Sequence, residues 1–271
     1  MLTIVPQGGL CNRLRVVLSA IEASRRGVAP ITVHWGRDAE CCAWFEELFL
    51  PISSEALQIV HRRWWAAPVT RRNLHLPALL RRAMGYSLQR ANCLPGSDEA
   101  FYRMAEGAKV YLSGGYSLCS YSPQCLELLQ PQPEIQRRIN ALAARFSPST
   151  VGVHIRRTDN LKSMQHSTSD GFRCAMRKAL AEDAGTTFFL ATDDALLKAE
   201  LEREFAPHII TCHNPVRRDT LEGMRDAVVD LWGLAATGRI IGSYWSSFTD
   251  TAAELRQLPL EIVGDSGDST P

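Results

Sequence analysis

Residues 151–160 read Val151-Gly152-Val153-His154-Ile155-Arg156-Arg157-Thr158-Asp159-Asn160, a short apolar run that stops at two adjacent arginines and an acid. In an open parallel sheet, ligands bind just outside the carboxyl ends of the strands. Arg156 and Arg157 are therefore expected at a ligand site. Guanidinium groups suit phosphate because they offer planar, bidentate donors. The segment predicts a strand that delivers two arginines to a phosphate-bearing ligand.

The chain after residue 151 alternates between apolar runs and segments with helical periodicity. The predicted strands are Val151–Ile155, Thr187–Thr192, His208–Cys212, Arg239–Ser243 and Leu260–Val263. The predicted helices are Phe172–Leu180, Asp194–Phe205, Thr220–Ala236 and Ser247–Leu258. Because strands that alternate with helices of this length form parallel sheets, the pattern predicts a doubly wound α/β fold.

The first half of the chain is less regular but begins in the same way. The predicted strands are Leu2–Val5, Ile31–Trp35 and Val110–Leu112. Three helices are predicted: the first follows the glycine-rich turn and ends at Ser24, and the other two are Cys41–Leu48 and Pro131–Phe146. Two βα-type halves indicate two Rossmann-like units with parallel sheets facing a cleft. The predicted domains are 1–146 and 147–264, followed by a frayed polar tail at 265–271.

Composition narrows the class of protein. The 271 residues carry a net charge of +1, which gives no reason to expect nucleic acid as a partner. We see no signal peptide and no apolar run long enough to span a membrane. None of the eight cysteines forms a Cys-x-x-Cys pair or has the spacing of a zinc site. The expectation is a cytoplasmic protein with reduced thiols and no bound metal.

Polar residues follow two further predicted strands. Asp193 and Asp194 come at the end of Thr187–Thr192, and Ser246 and Ser247 lie between Arg239–Ser243 and the next helix. Hydroxyls and free amides at a helix start are suited to binding an anion. The alternatives are a surface ion network for the arginines and simple helix capping for one aspartate and one serine. Convergence of three strand ends on one edge favours a ligand site.

Two other features carry potential chemistry. Asp230 lies within the apolar run Val228–Trp232, where an unpaired carboxylate would be costly. It is therefore either part of a structural ion pair or a ligand contact. Gly8-Gly9-Leu10-Cys11-Asn12-Arg13 joins the first strand to a helix, so its backbone could approach a ligand closely. A tight turn with Arg13 on a solvated face is the simpler interpretation of this second feature.

Three segments together resemble the motifs of a fucosyltransferase superfamily: His154–Asp159, Ala191–Asp194 and Ile240–Phe248. The superfamily includes core α1,6-fucosyltransferases, bacterial nodulation-factor fucosyltransferases and protein O-fucosyltransferases. The turn Gly8–Leu14 is similar to the glycine-rich turn of related glycosyltransferases. The resemblance implies a GT-B architecture, GDP-fucose as donor, inversion at the sugar carbon, no required metal or other cofactor, and a place in bacterial glycan biosynthesis.

The resemblance also implies a donor site. Its residues would be His154, Arg156, Arg157, Asp193, Asp194, Asp230, Ser246, Ser247, Gly9, Asn12 and Arg13. Arg156 would clamp the β-phosphate as the main catalytic group, because fixed positive charge can offset the negative charge that grows on the departing GDP. His154 and Asp230 would face the guanine. The Asp230 carboxylate would accept hydrogen bonds from both N–H groups on one edge of the guanine base.

The general base is not fixed by the resemblance. Asn160 and Met164 stand where the core α1,6 enzymes have a lysine and a catalytic glutamate, and neither can take a proton from the acceptor. Asp159 and Asp170 are the candidate bases, and an acidic residue of the first domain is an equal alternative. The acceptor is expected to be a glycan or a glycolipid. Another GDP-sugar as donor, or a non-catalytic nucleotide-sugar-binding module, also fits the sequence.

The stretch 61–90 is rich in arginine and contains Trp64 and Trp65. One interpretation is a surface for an anionic acceptor, with peripheral contact to a membrane. The other is a solvated helical face with its tryptophans turned toward the core.

Overall fold

The computed structural model of the chain describes residues 1–28, 30–61, 77–107, 109–158, 160–214 and 217–264. Three predictions concern residues outside these ranges. They are Asp159 as a base, the tail 265–271, and the part of the arginine-rich stretch that covers 62–76 and includes Trp64 and Trp65.

The chain divides into two units. Unit 1 comprises Met1–Gln132 and Arg218–Met224, and unit 2 comprises the described residues of Pro133–Arg217 and Arg225–Pro271. The short segment Arg218–Met224 is tied into unit 1 by a hydrogen bond from the Cys42 amide to the Arg218 carbonyl, 3.0 Å long.

Unit 1 is built on a five-stranded parallel sheet of order β3-β2-β1-β5-β4. Its strands are β1 (Leu2–Pro6), β2 (Ile31–Trp35), β3 (Leu57–His61), β4 (Leu88–Arg90) and β5 (Val110–Gly114). Its helices are α1 (Leu10–Arg25), α2 (Ala78–Ala83), α3 (Asp98–Ala105) and α4 (Pro123–Leu126), with a 3-10 helix at Phe45–Glu47. The central strands β1 and β5 are buried along their whole length, as expected of strands covered on both faces.

Unit 2 repeats the architecture with a five-stranded parallel sheet of order β10-β9-β6-β7-β8. Its strands are β6 (Thr150–Ile155), β7 (Thr187–Thr192), β8 (Ile209–Thr211), β9 (Arg239–Ser243) and β10 (Leu260–Val263). Its helices are α5 (Pro133–Ala143), α6 (Leu161–His166), α7 (Ser169–Glu182), α8 (Ala195–Glu204), α9 (Leu221–Ala235), whose first turn belongs to unit 1, and α10 (Ser247–Glu254). Every residue of β6 is buried, and Val153 and Ile155 pack in a core with Phe172 and Met176 of α7.

The predicted α/β class is confirmed, with parallel sheets in both units and the predicted strands of unit 2 in place. The predicted α-helix Cys41–Leu48 is wrong, because the segment is irregular except for the single 3-10 turn Phe45–Glu47. The Trp35 indole donates to the Ala43 carbonyl at 2.8 Å and its ring meets Phe45 edge-on, so tertiary packing accounts for the apolar spacing. The helix predicted to reach Leu258 ends at Glu254.

None of the described helices is both long enough and apolar enough to cross a membrane. All eight cysteines lie within the described residues, and none of them forms a disulfide.

Candidate functional site

The carboxyl ends of β6, β7 and β9 lie side by side at one edge of the unit 2 sheet, since these strands are neighbours in the order β9-β6-β7. The Arg156 guanidinium pairs with the Asp193 carboxylate at 2.7 Å, which joins the ends of β6 and β7. The Arg156 amide donates to the Ser243 hydroxyl at 2.9 Å, which joins the ends of β6 and β9. The three predicted strand ends are therefore brought together.

Asp193 organises the loop that follows β6. One carboxylate oxygen accepts from the Arg157 amide at 2.7 Å, and the other accepts from the Thr158 amide and hydroxyl at 3.3 and 2.8 Å. The Asp193 side chain is only 8% exposed. Hydrogen bonds to a charged acceptor are stronger than those between neutral groups. The loop is thus fixed before any ligand arrives, and Arg156 is fixed with it.

The two arginines of the motif have different surroundings. Arg156 keeps 18% of its side chain exposed at the sheet edge. Arg157 is buried, with its guanidinium donating to the Ser169 hydroxyl and lying 5.8 Å from the centre of the Phe172 ring. Burial lowers the pKa of Arg157 from its usual value. Arg156 is the better placed of the two to meet an anion, and Arg157 packs the loop onto α7.

His154 is buried beneath the start of α10. Its Nδ1 lies 2.7 Å from the Thr249 hydroxyl, and its ring stacks on Phe248 with the ring centres 4.8 Å apart. Burial lowers the pKa of His154 to about 3, although the nearby Asp193 carboxylate opposes the change. The imidazole is therefore neutral at physiological pH. It anchors α10 to the central strand.

Gly242 allows α10 to approach the sheet closely. A Cβ at this position of β9 would lie 2.1 Å from the Thr249 methyl carbon, which is far inside any normal contact. The Thr249 hydroxyl that meets His154 also accepts from the Ser243 amide at 3.3 Å. The absence of a side chain at Gly242 therefore sets the position of the helix start.

The start of α10 carries the two predicted serines. Ser246 is the N-cap residue and is buried, but within the described chain its hydroxyl makes no capping hydrogen bond. Ser247 is the first helical residue. Because the first amides of a helix have no intrahelical acceptor, this end of α10 offers N–H donors at the same edge as Arg156. Trp245, directly before Ser246, has a positive φ of 53° and is 57% exposed.

Asp230 lies on α9 against the end of β8, where the Cys212 thiol is a hydrogen-bond partner of its carboxylate. Burial raises the pKa of Asp230 to about 6, while the positive charge of Lys198 acts in the opposite direction. The Lys198 ammonium donates to the Cys212 carbonyl at 2.8 Å. Sequence reasoning missed both neighbours of Asp230, because Lys198 lies on α8 and Cys212 directly follows β8.

Two of the predicted acidic residues have structural partners. Asp194 caps α8, since its carboxylate accepts from the Leu196 and Leu197 amides at 3.0 Å each. Asp170 is 94% exposed and pairs with Arg173 one turn along α7. The described structure does not connect Asp170 to the loop that holds Arg156. The role of Asp170 as a base stays a prediction.

In unit 1, the glycine-rich turn has the conformation that its sequence indicates. Gly8 has a positive φ of 82°, and a Cβ there would lie 2.7 Å from the Asn12 side-chain nitrogen. Gly9 is the N-cap residue of α1, and Asn12 lies in the first turn of that helix.

Arg13 does not lie on a solvated face, because its side chain is only 1% exposed. It donates to the carbonyls of Gly8 and Gly36 and pairs with Asp38 at 2.7 Å. As placed, Arg13 supports the turn from inside unit 1 and does not reach outward to a phosphate. Asp38, its partner, was not singled out from the sequence because it lies 25 residues away in a loop.

Unit 1 also contains a cavity of about 610 Å³ beside the end of β4. Its lining is largely apolar and includes Leu88, Leu94 and Met104, together with two arginines, Arg90 and Arg103.

Within the described ranges, no three His, Cys, Asp or Glu side chains come together in a group that could hold a metal ion.

Solved structures of fucosyltransferases are similar in fold to this chain. The fucosyltransferase NodZ from Bradyrhizobium superposes with a TM-score of 0.61 at 20% identity, over 93% of this chain and 91% of that one. The chain has the fold of a fucosyltransferase. A NodZ α-1,6-fucosyltransferase crystal soaked with GDP-fucose is similarly close, with a TM-score of 0.62. The resemblance noted in the motifs is thus confirmed at the level of the fold.

Two more distant fucosyltransferases share this fold. POFUT1 superposes with a TM-score of 0.58 at 10% identity, over 97% of both chains. A variant of FUT1 from Arabidopsis thaliana in complex with GDP superposes with a TM-score of 0.62 at 11% identity, over 100% of this chain and 71% of that one. No family model and no curated protein matches the sequence itself.

Proposed function

We propose that this protein is an inverting glycosyltransferase that transfers fucose from GDP-fucose to a hydroxyl of a glycan or glycoconjugate, without a required metal. The observation that carries the proposal is the Arg156–Asp193 pair at the same sheet edge as the start of α10. Solved structures with this fold include chains soaked with GDP-fucose or bound to GDP. A sheet edge that presents a guanidinium and free helix amides suits the diphosphate of that donor.

The proposed chemistry begins at the bond between the sugar and the β-phosphate. As this bond breaks, the sugar carbon gains oxocarbenium character and negative charge grows on the departing GDP. Arg156 and the first amides of α10 stabilise that charge, and because Asp193 has already fixed the arginine, little reorganisation is needed. Arg157 and His154 support this arrangement from within unit 2.

Asp230 is proposed to recognise the guanine. An ionised carboxylate accepts from both N–H groups on one edge of that base, and neither adenine nor uracil offers this pair. The surroundings of Asp230 raise its pKa to about 6, so the acceptor form dominates above that pH. The Cys212 thiol and the nearby Lys198 hold the carboxylate in place.

The acceptor hydroxyl must lose a proton to a base, which typically contributes about a hundredfold to ten-thousandfold to the rate. Asp159 and Asp170 remain the proposed candidates. The acceptor is proposed to bind in unit 1, where the cavity beside β4 has the size and apolar lining typical of small-molecule sites. Peripheral membrane contact through 61–90 also remains a proposal.

The direct test is release of GDP from GDP-fucose by the purified full-length protein, in EDTA, with and without a mixture of glycan acceptors. We expect GDP release that acceptor accelerates and that EDTA leaves unchanged. Strict dependence on added Mg²⁺ or Mn²⁺ would overturn the metal-free mechanism. If GDP binds but no GDP-sugar is ever consumed, the chain is a binding module and the proposed catalysis is wrong.

A further inference from the structure

Trp245 adopts an unusual conformation at the edge of the candidate site. Its φ of 53° lies in the left-handed region, which bulky residues rarely adopt. The residue is 57% exposed, although large apolar side chains gain by burial. Strained residues of this kind persist where the surrounding structure holds them, and they cluster at functional sites. A strained and exposed tryptophan therefore calls for a role beyond packing.

The segment that follows the arginine motif holds Trp245 in place. The Asn160 side chain donates to the Trp245 carbonyl at 2.8 Å, and the Lys162 ammonium lies 4.3 Å from the centre of the indole ring. The same segment contacts the arginine loop, since the Ser163 hydroxyl donates to the Arg156 carbonyl at 3.1 Å. The indole and the proposed phosphate-binding arginine are thus positioned by one short helix, α6.

The strand order separates the two ends of the proposed donor site. Trp245 follows β9, whereas Cys212 directly follows β8 and is hydrogen-bonded to Asp230 of α9. In the order β9-β6-β7-β8, these positions are three inter-strand spacings apart, or about 14 Å. An extended GDP is of similar length, so guanine at Asp230 brings the β-phosphate toward β6 and β9. Trp245 lies directly before Ser246 and Ser247, whose amides are at the start of α10. The sugar attached to that phosphate is then next to Trp245.

We infer that Trp245 is the contact that recognises the sugar of the donor, with its indole packed against the C–H face of the pyranose. Fucose suits such a surface because its C6 is a methyl group rather than a hydroxymethyl group. Lys162 covers part of the ring and fixes its orientation. The inference rests on the proposed function and adds a residue that distinguishes GDP-sugar from GDP.

The test is calorimetric titration of the full-length protein with GDP and, separately, with GDP-fucose. Trp245→Asn removes the ring and tolerates the left-handed backbone, because asparagine is enriched in that region. Trp245→Phe keeps an aromatic surface. Leu196→Asn, which changes a residue of α8 that is 80% exposed, is the matched control. A thermal melt of each variant checks that the fold is intact.

For Trp245→Asn we expect the Kd of GDP-fucose to rise at least fivefold while the Kd of GDP stays within twofold. Trp245→Phe should recover most of the loss, and the control should change neither value. The inference is overturned if both dissociation constants rise by the same factor, if neither changes, or if only transfer to the acceptor slows. Failure of the unaltered protein to bind either nucleotide would instead overturn the proposed function, and the inference with it.

Discussion

The carboxylate of Asp193 lies 2.7 Å from the guanidinium of Arg156 and also accepts hydrogen bonds from the backbone of the next two residues, Arg157 and Thr158. The acid at the end of one strand thereby fixes the arginine at the end of its neighbour. A phosphate that binds Arg156 must share it with Asp193. The rigid loop compensates for this competition because the arginine does not have to be ordered on binding.

Asp193→Asn should weaken GDP binding about tenfold and lower the free energy of unfolding by about 1 to 3 kcal/mol. The amide can accept at only one of the two oxygen positions, and it places its N–H donors either against Arg156 and Thr158 or against the Arg157 amide. Titration with GDP and chemical denaturation measure the two effects. Asp183→Asn, at an exposed turn where the carboxylate accepts from the Gly185 amide, is the control and should leave GDP affinity unchanged. Full affinity in Asp193→Asn would show that the carboxylate does not organise the site.

Gly242→Ala should destabilise the protein by about 2 kcal/mol, because the added Cβ would overlap the Thr249 methyl carbon at the start of α10. GDP affinity should fall as the helix start moves away from the sheet. In the double variant, which combines Gly242→Ala with Thr249→Ser, the overlapping methyl group is removed and the hydroxyl that contacts His154 is kept. Chemical denaturation should show partial recovery in the double variant, and no recovery would contradict the proposed cause.

Asp230→Asn should raise the stability of the protein at pH 8 and at the same time weaken its binding of GDP. The folded-state pKa of about 6 lies above the usual 3.8. The free energy of unfolding therefore falls as pH rises from about 4 to 6, and it does not fall further above pH 6 on account of this group. Asparagine does not titrate, so the variant should be about 1 to 3 kcal/mol more stable than the unaltered protein at pH 8. It should also bind GDP at least tenfold more weakly, because an amide cannot accept from both guanine N–H groups.

Denaturation curves at pH 4 and pH 8 measure the first effect of Asp230→Asn, and titration with GDP at pH 8 measures the second. If the change in stability is the same at both pH values, the pKa of Asp230 is not raised in the folded protein. If its GDP affinity is unchanged, Asp230 does not contact the base.

Glu22→Gln tests the stability of unit 1 away from the candidate site. Burial of Glu22 opposes its ionisation, but hydrogen bonds from Arg26, Cys125 and both the amide and hydroxyl of Ser122 outweigh this and lower its pKa to about 2. The carboxylate therefore contributes stability above pH 4.5 that is lost as pH falls toward 2. The variant should lose about 2 to 3 kcal/mol at pH 7 in chemical denaturation. A loss that persisted unchanged at pH 2 would indicate lost packing and not lost charge.

Much of unit 2 was predictable from sequence, because buried parallel strands are continuous apolar runs separated by amphipathic helices. Runs such as Val151–Ile155 and Thr187–Thr192 have this form. The meeting of Arg156 with Asp193 also followed from topology, since the carboxyl ends of neighbouring parallel strands share an edge. In unit 1, β3 and β4 were missed because Leu57 is the one buried residue of β3 and β4 has only three residues, two of them polar.

The finer roles depended on tertiary contacts that sequence spacing does not encode. The burial of Arg13 depends on the carbonyl of Gly36 and the carboxylate of Asp38, which meet it only in the folded unit. The conformation of Trp245 depends on Asn160, 85 residues earlier in the chain. Single positions around the site were therefore less predictable than the strands that carry them.

The most direct measurement is titration of GDP into the unaltered protein and into Arg156→Ala. Arg173→Ala, an arginine of α7 that is similarly covered and also pairs with carboxylates, is the control. We predict that GDP binds the unaltered protein and the control, that UDP and ADP do not bind measurably, and that Arg156→Ala weakens GDP binding by about tenfold to a hundredfold. Unchanged GDP affinity in Arg156→Ala, or no GDP binding to the unaltered protein, would contradict a donor site at this edge of unit 2.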